Sequence, residues 1–470
     1  MVRSIALVVV AAGTVALSLA RGDVSGPYDW TSYSGGDTMT NSARSATITP
    51  ATAQKLHPAW SRRLDGAVFS SPLYLRTGVR KPLVLVATMS NSLYALSAAN
   101  GAVVWKRSLG APQPTVCKGS YGIASTPYVD RATGRVYVIG ARGLLWALDV
   151  RTGKPISGWP VRIVSRTTVE FAWSGLRLRD GLLYVNVASY CDVPDAQNRP
   201  ADGYTDAVDV KKRKIVARFD VVPGPANMGG AWGYGGVSID RDGSVYLATG
   251  NAAVFRGDKL IEDAPHGESI VHLTRRLRVL SAAPAPDKAK DNVGDEDYGS
   301  SPLLFQPRGC PPLVAANSKN GYTYVWRRSD LAHPLWSASL GPTSANEPFL
   351  GEPSWDAATR ILVVTESTFG PPNDLHRGLS AFVPNGACTT FTHRWDTNVG
   401  GGAQPPALIV GGVVFSAVAS RQMLYAFDVR TGSILWQRKI NASQAPIATN
   451  GEAVFVADTN GVVTAYAPRS

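Results

Sequence analysis

The sequence predicts an all-β fold, an eight-bladed β-propeller built from four-stranded antiparallel blades. Three observations predict it. A strand–turn–strand phrase recurs along the chain, a marker for the start of a blade occurs eight times, and the final unit lacks a strand that a segment near the N-terminus can supply. Repeats that each hold four short strands are typical of propeller blades, which are arranged radially so that few strand edges stay exposed.

The recurring phrase is clearest at Ala426–Trp436. Apolar residues alternate with other residues up to a Thr-Gly turn, and an apolar strand that ends in tryptophan follows. The same phrase occurs at Ala95–Trp105. It returns at Ala147–Gly153, where the tryptophan is delayed to Trp159. A phrase that recurs in this way indicates a repeat architecture.

The second observation is a Ser-Ser-Pro or Ser-Thr-Pro marker that precedes an apolar strand, with strict copies at Ser70–Pro72, Ser125–Pro127 and Ser300–Pro302. Degenerate copies keep the proline or only the position. Together they set eight blade starts, at residues 72, 127, 175, 236, 302, 353, 405 and 446. The last unit ends without a tryptophan strand, and the isolated strand around Trp60 can complete it. We therefore expect the N- and C-terminal strands to pair and close the ring.

The chain divides into three parts on this interpretation. Residues 1–20 have the features of a signal peptide, because Arg3 precedes an apolar stretch from Ile5 to Leu19. That stretch is too short to predict a membrane span. Residues 21–55 form an irregular lead-in, and residues 56–470 form a single propeller domain. We predict a secreted or cell-envelope protein with no transmembrane segment in the mature chain.

Composition agrees with a folded protein rather than a nucleic-acid binder, and we expect a monomer. Hydrophobic residues make up 44% of the chain and charged residues 17%, so a core can form. The formal net charge of +12 would suit an acidic partner. The basic residues are scattered, however, with the densest runs at Lys211–Lys214 and Arg275–Arg278. We interpret them as a solvated surface and predict no nucleic-acid partner.

The four cysteines, Cys117, Cys191, Cys310 and Cys388, predict two disulfides in an exported chain. Three connectivities are possible. Pairing Cys117 with Cys191 and Cys310 with Cys388 would join neighbouring repeats in each case, and we favour it. The wide spacing of the four thiols makes a metal site improbable.

The recurring phrase, written Ala-x-Asp-x-x-Thr-Gly-x-x-x-Trp, resembles the repeat of quinoprotein propellers that bind pyrroloquinoline quinone (PQQ). In that family the tryptophan of one blade stacks on the turn of its neighbour. The resemblance covers the chain from about Asp29 to the end, and the stretch from Asp29 to Trp60 looks like the start of PQQ-dependent alcohol dehydrogenases. It implies that the protein oxidises an alcohol or a sugar with PQQ and calcium.

The resemblance also implies cofactor-binding residues. The segment Gly229–Asn251 is similar to the stretch that holds the quinone and its metal in the family. Trp232 would be the floor under the quinone, and Asn251 would ligate the metal. An indole face suits stacking on a flat quinone, and an amide oxygen suits a hard cation such as calcium.

Four further residues take their roles from the same resemblance. Glu170 would be the carboxylate ligand of the metal. Asp295 or Asp297 would be the catalytic base that takes the alcohol proton as hydride moves to the quinone, and Lys319 would polarise a quinone carbonyl. All of them lie next to predicted inner strands or their connecting loops, so we expect them to converge on the central funnel.

Most of these residues also have a purely structural interpretation. Trp232 could pack between blades, and Asn251 could be an ordinary turn residue. Asp295 and Asp297 could be solvated loop carboxylates, and Lys319 could flank a hairpin.

A second hypothesis is therefore a non-catalytic propeller that binds a protein or a polysaccharide through its loops. The dehydrogenases of the family usually carry two adjacent cysteines over the quinone, whereas this chain has only Cys117 in that region. The chain also resembles scaffold propellers of envelope assembly, but no lipid-anchor cysteine follows its apolar N-terminal stretch.

Overall fold

The computed structural model describes residues 29–117, 119–189, 191, 193–224, 228–256, 259–261, 264–286, 296–340, 351–365, 378–400 and 405–469. The predicted signal peptide and Asp295 lie outside the described residues. Eight four-stranded antiparallel sheets follow one another along the chain, and first strands of neighbouring sheets contact each other. This arrangement confirms the predicted all-β, eight-bladed propeller.

We number the blades 1 to 8 in chain order and give their four strands from the inside outward. Blade 1 contains Leu73–Leu75, Leu83–Thr88, Ser92–Ser97 and Val103–Ser108, and blade 2 contains Tyr128–Asp130, Arg135–Ile139, Leu144–Asp149 and Val161–Arg162. Blade 3 contains Arg177–Arg179, Leu182–Ser189, Tyr204–Asp209 and Lys214–Asp220, and blade 4 contains Ser238–Ile239, Val245–Thr249, Ser269–Leu273 and Val279–Pro284. Blade 5 contains Leu303–Phe305, Leu313–Asn317, Tyr322–Arg327 and Trp336–Ser339, and blade 6 contains Ser354–Asp356, Ile361–Thr365, Leu379–Pro384 and Phe391–Asp396. Blade 7 contains Leu408–Val410, Val413–Val418, Met423–Asp428 and Ile434–Lys439, and blade 8 contains Ala448–Thr449, Val454–Ala457, Val462–Pro468 and Leu56–Arg63.

The two ends of the chain close the ring within blade 8. The strand Leu56–Arg63 pairs antiparallel with Val462–Pro468, in a register that sets Trp60 opposite Ala465. Blade 8 therefore takes three strands from the C-terminus and its outermost strand from the N-terminal part. This confirms the predicted closure, including the use of the strand around Trp60.

Tryptophans of the recurring phrase join one blade to the next. Trp105 of blade 1 donates its Nε1–H to the carbonyl of Val150 in the turn of blade 2, over 3.0 Å, and its ring lies against Gly153. Gly153 has φ of +65°, a conformation that glycine adopts without a steric cost. Trp60 and Trp395 make the same contact with the blade that follows each of them. The tryptophan of one blade and the Thr-Gly turn of the next therefore form one contact between blades, which we call the joint.

The lead-in runs along the inner side of all eight blades in order. Its carbonyls accept backbone hydrogen bonds from the first strands of six blades: Trp30 from Tyr74, Thr31 from Val129, Asp37 from Ile239, Thr38 from Leu304, Thr40 from Trp355 and Asn41 from Ile409. Blade 3 is reached by Arg177, which donates to the Tyr33 carbonyl, and blade 8 by Ser45, which donates to the Gly451 carbonyl. Because the second strand occupies the outer edge of each first strand, these bonds lie on the edge that faces the axis.

The lead-in contains three short elements. Tyr33–Gly35 is a 3-10 helix, and Ser42–Ala43 is a strand that pairs parallel with Leu408–Val410 of blade 7. Pro50–Ala53 is a four-residue α-helix whose first turn is capped by Thr49. A second 3-10 helix, Ala419–Arg421, lies in blade 7. Across the described ranges, no helix has the length and apolar character needed to cross a membrane.

We call the end of the propeller where the first strands begin and the second strands end the entry face. Additional short strands lie at this end. Glu170–Phe171 pairs with the second strand of blade 3, and Ala231–Trp232 pairs with the second strand of blade 4. Two separate hairpins are formed by Gln113–Pro114 with Ser120–Tyr121 and by Val254–Arg256 with Lys259–Ile261.

Two disulfides join neighbouring blades. Cys117, before blade 2, is bonded to Cys191, after the second strand of blade 3, with their Cα atoms 6.2 Å apart. Cys310 of blade 5 is bonded to Cys388 of blade 6, with a Cα separation of 5.7 Å. Both pairs are the ones favoured from the sequence, so that prediction is confirmed.

Candidate functional site

Four of the predicted site residues lie together at the entry face, where blades 4 and 5 meet. Trp232 belongs to the short strand before blade 4, and Asn251 follows the second strand of that blade. Asp297 precedes the first strand of blade 5, and Lys319 follows its second strand. The repeat therefore delivers all four from equivalent positions of adjacent blades.

Asp297 is at the centre of this group. Its side chain is buried, and its Oδ1 accepts the backbone N–H of Asn251 at 2.6 Å. Its Oδ2 accepts a hydrogen bond from Lys319 Nζ at 2.5 Å. The Lys319 backbone N–H also donates to the Asp297 carbonyl, at 2.9 Å. A charge-assisted bond and a backbone bond together hold the carboxylate in one orientation.

Glycines allow Trp232 and Asp297 to approach each other. A Cβ added to Gly250 would lie 2.0 Å from Asp297 Oδ1 and 2.6 Å from Trp232 Cδ1. A Cβ added to Gly230 would lie 2.2 Å from Trp232 Nε1. Both distances are far below van der Waals contact, so only glycine permits this packing at either position. The Thr-Gly-Asn segment therefore has two roles: its glycine lets the backbone lie against Asp297 and Trp232, and it carries Asn251.

Trp232 is half-buried, and its backbone carbonyl accepts a hydrogen bond from Asn186 Nδ2 at 3.1 Å. Its Nε1–H is buried and has no acceptor among the described residues. Buried donors without a partner are rare in folded proteins and often mark a position where another molecule supplies the acceptor. The Nε1–H groups of Trp60, Trp105 and Trp395 bond to the next blade, whereas those of Trp30, Trp146 and Trp326, like that of Trp232, have no acceptor among the described residues.

Glu170 lies at the entry face of blade 3 and is paired with an arginine. Arg166 Nε donates to Glu170 Oε1 at 2.7 Å. Arg166 also donates to Asp202 at 3.0 Å and lies 3.5 Å from Asp195. Burial raises the pKa of the Glu170 carboxyl, and the Arg166 guanidinium opposes that shift. Arg166 therefore joins three carboxylates from two segments of the chain.

The structure thus brings Trp232, Asn251, Asp297 and Lys319 together. Glu170 lies opposite Ser189 on the strand that also carries Asn186, the residue bonded to Trp232, but its recorded side-chain contact is with Arg166. Sequence reasoning overlooked two residues of this region, Arg166 and Gly250. The spacing of Arg166 four residues before Glu170 is a weak signal, whereas the role of Gly250 depends on Asp297, a residue distant in sequence.

These residues fit a flat quinone. Trp232 offers a partly accessible ring whose edge is cleared by two glycines, and the Lys319 ammonium is bonded to Asp297, the carboxylate next to that ring. The predicted calcium ligands, the Asn251 amide and the Glu170 carboxylate, would supply fewer than the six to eight oxygens that calcium takes, and Glu170 is bonded to Arg166. Water and the cofactor's own oxygens would have to complete the shell. In the part of the chain that the structure describes, no group of three or more His, Cys, Asp or Glu side chains could hold a metal.

Two segments of the chain match models of known propeller domains. Residues 30–170 match the β-propeller domain of the PQQ-dependent glucose, ethanol and alcohol dehydrogenases. Residues 390–470 match the model of the outer membrane protein assembly factor BamB, which describes a related repeat. Two parts of this eight-bladed propeller are therefore similar to PQQ-type repeats. In this structure the tryptophan and the Thr-Gly turn of the repeat meet in the joints between blades.

One similar protein of known activity is a polyvinylalcohol dehydrogenase from a Pseudomonas species. It is 22% identical over 348 residues, which cover 68% of this chain and 53% of the relative. The chain thus spans about half the length of that relative.

Solved structures share the fold at low sequence identity. The quinohemoprotein alcohol dehydrogenase of Comamonas testosteroni has a TM-score of 0.72 and 16% identity, covering 96% of this chain and 82% of its own. A europium-containing methanol dehydrogenase has a TM-score of 0.70 and 14% identity, covering 94% and 98%. BamB from Moraxella catarrhalis has a TM-score of 0.58 and 13% identity, covering 88% and 99%. At these identities the likeness concerns the fold alone.

Proposed function

We propose that this propeller is an exported quinoprotein dehydrogenase that oxidises an alcohol or a sugar with PQQ and calcium. The observation that carries the proposal is the Asp297 carboxylate, held by Lys319 Nζ at 2.5 Å and by the Asn251 N–H at 2.6 Å, directly beside the Trp232 indole.

Asp297 is the catalytic base in this proposal. Each carboxylate oxygen has two lone pairs. Oδ1 and Oδ2 each accept one recorded hydrogen bond, so a lone pair remains for an alcohol O–H. The Lys319 ammonium stabilises the carboxylate in the orientation that receives this proton. Asp295, two residues away, stays a second candidate for the base.

Lys319 has a second role beside the cofactor. An ammonium group has three N–H donors, and one is directed at Asp297 Oδ2. Another donor can bond to an oxygen of a molecule stacked on Trp232 and polarise it. PQQ, when bound, supplies the carbonyl carbon that accepts the hydride from the alcohol. Glu170 and Asn251 would contribute oxygens to the calcium ion that holds the cofactor.

Several findings support a dehydrogenase rather than a non-catalytic propeller. Two quinohemoproteins that share the fold are alcohol dehydrogenases, and the similar Pseudomonas protein is named a polyvinylalcohol dehydrogenase. The candidate residues converge at the interface of blades 4 and 5, where a scaffold would need only apolar packing. An exported location rests on the apolar N-terminal stretch of the sequence.

Calorimetry with PQQ and calcium, followed by dye-linked ethanol oxidation, tests the proposal. We expect the intact chain to bind PQQ. Trp232→Ala should remove that binding, whereas Asp297→Asn should retain PQQ and lose about 10²- to 10⁴-fold in kcat, the range for a general base. Asp295→Asn distinguishes the two candidate bases.

Asp240→Asn is the matched control. Asp240 pairs with Arg328 at the same distance of 2.5 Å and at similar burial, but at the opposite end of blade 4. Its replacement should leave PQQ binding and kcat unchanged. Absence of PQQ binding to the intact chain, or an equal loss of activity in both asparagine variants, would overturn the proposal.

A further inference from the structure

A row of aromatic side chains lies at the entry face next to the candidate site. Tyr121 and Phe171 are in edge-to-face contact, with centroids 4.2 Å apart. Phe171 lies 6.2 Å from Trp173, and Trp173 lies 5.9 Å from Tyr234. Met89, after the second strand of blade 1, packs against the same group. We call Tyr121, Phe171, Trp173 and Tyr234 the aromatic wall.

Hydrogen bonds hold two side chains of the wall, Tyr121 and Trp173, in place. Tyr121 Oη donates to the Ala141 carbonyl at 2.6 Å, and Trp173 Nε1 donates to the Ser189 carbonyl at 3.2 Å. Each polar atom is thereby satisfied, and the ring faces are presented in one orientation. Edge-to-face contacts add to this rigidity. A rigid wall requires little ordering when a ligand binds to it.

Tyr234 reaches across the axis of the propeller. Its hydroxyl donates to Gln444 Oε1 at 3.3 Å. Tyr234 precedes blade 4 and Gln444 precedes blade 8, and these blades are opposite in an eight-membered ring. The two side chains therefore meet over the centre of the funnel, and the aromatic wall ends there.

The wall adjoins the candidate site through the backbone. Only Gly233 separates Tyr234 from Trp232, and Ser189, which fixes Trp173, lies opposite Glu170. The exposure of the wall rises toward the site, since Tyr121 and Phe171 are buried whereas Trp173 and Tyr234 are half-buried. The accessible aromatic surface is therefore the part nearest to the floor residue.

We propose that Trp173 and Tyr234 form a subsite for the carbon skeleton of the substrate, which selects alcohols with a cyclic or branched hydrocarbon arm over ethanol. This inference rests on the proposed dehydrogenase function and assigns it a substrate class. The two rings contact the arm while the hydroxyl lies at Asp297.

The chemistry of the wall favours a neutral, largely apolar arm. The wall contains no charged side chain, and two ion pairs of the adjoining site join Arg166 to Glu170 and Lys319 to Asp297. A charged arm would find no counterion on the rings. A short alcohol such as ethanol leaves the ring surface in water, whereas a ring-sized arm removes it from water, and burial of apolar surface is favourable.

The first test compares kcat/KM for cyclohexylmethanol and for ethanol in the PQQ- and calcium-loaded chain. We expect Trp173→Ala and Tyr234→Ala each to lower the ratio of the two values by roughly tenfold, the effect of losing about one ring contact. Tyr234→Phe, which keeps the ring, should retain most of the ratio. Trp436→Ala is the control, because Trp436 is a half-buried indole that packs on Tyr466 in the outer part of the propeller.

The second test measures binding without turnover. 1-Methylcyclohexanol carries no hydrogen on its carbinol carbon and cannot be oxidised, so calorimetry reports its affinity directly. We expect binding to the loaded chain and weaker binding to the chain without PQQ. Trp173→Leu and Tyr234→Ala should weaken both by about tenfold, and Trp436→Ala should not.

The outcomes separate the two proposals. If PQQ does not bind, the proposed function fails, and the titration of the cofactor-free chain still tests the aromatic subsite. If PQQ binds and ethanol is oxidised but folded wall variants leave the ratio and the affinity unchanged, the subsite inference is overturned alone. Absence of 1-methylcyclohexanol binding to the loaded chain also overturns it.

Discussion

The buried carboxyl group of Glu352 is one of the groups that bond the lead-in to the ring. Glu352, before the first strand of blade 6, is fully buried and accepts hydrogen bonds from Tyr33, Ser34 and Asn41 of the lead-in. Burial raises the pKa of Glu352 to about 7, although these donors oppose the shift. The buried Arg177 guanidinium interacts electrostatically with the same carboxyl group. At the residue scale, the inner ring thus contains a group that titrates near neutrality.

Glu352 should make folding stability depend on pH. Its pKa in the folded chain lies above its ordinary value of 4.5, so the folded state binds the proton more tightly. The resulting stability is fully present below pH 4.5 and is lost as the pH rises through 7. We expect a loss of about 3 kcal/mol from this group.

Glu352→Gln tests this expectation, because glutamine can still accept from Ser34 and Asn41 but does not titrate. Denaturant unfolding at several values between pH 4.5 and 8 should show a steeper fall in stability for the natural chain than for the variant. Parallel curves would contradict the assignment.

At the scale of elements, the joint between blades depends on one glycine per turn. Gly432 of blade 7 has φ of +71°, and a Cβ there would lie 2.8 Å from the ring of Trp395 of blade 6. Trp395 donates its Nε1–H to the Val429 carbonyl at 2.9 Å in the same turn. The left-handed backbone and the stacked indole both exclude a side chain.

Gly432→Ala should therefore destabilise the chain by about 2 kcal/mol, from backbone strain together with displacement of the indole. Gly386→Ala is the matched control, since Gly386 has no heavy atom within 4 Å of an added Cβ. Its effect should stay within about 0.5 kcal/mol. Urea unfolding of both variants measures the difference, and equal stabilities would refute the role of the joint.

The resemblance of the recurring phrase to a known repeat predicted these joints, although each tryptophan meets a turn 34 to 45 residues further along the chain. The phrase at Ala426–Trp436 contains its own turn and strand, and Trp60 is an isolated copy of its last strand. The path of the lead-in was not predictable, because its bonds are made by carbonyls whose side chains differ from blade to blade. The pairing of Glu170 with Arg166 likewise required knowing where Asp195 and Asp202 return to the entry face.

At the scale of the whole molecule, two sets of contacts hold the ring closed. One is the lead-in, whose bonds reach all eight blades along the axis. The other is the seam in blade 8, where Leu56–Arg63 and Val462–Pro468 pair although they come from opposite ends of the propeller domain. A propeller without closure leaves strand edges exposed. The hydrogen bond from the Tyr234 hydroxyl to Gln444 Oε1 adds a contact between opposite blades.

A cross-link at the seam should raise the stability of the whole ring. Ser61 and Thr464 are directly opposite in the register, their hydroxyls are 2.9 Å apart, and they are separated by 403 residues. Replacing both with cysteine should allow a disulfide that restricts the unfolded chain, with a gain of up to about 5 kcal/mol for so long a loop. Thermal unfolding before and after reduction measures the gain, with the natural chain treated in parallel because reduction also opens Cys117–Cys191 and Cys310–Cys388. Ser61→Cys alone is the control, and it should unfold at the temperature of the natural chain. A cross-linked double variant that unfolds at that same temperature would show that the seam is not where the ring opens.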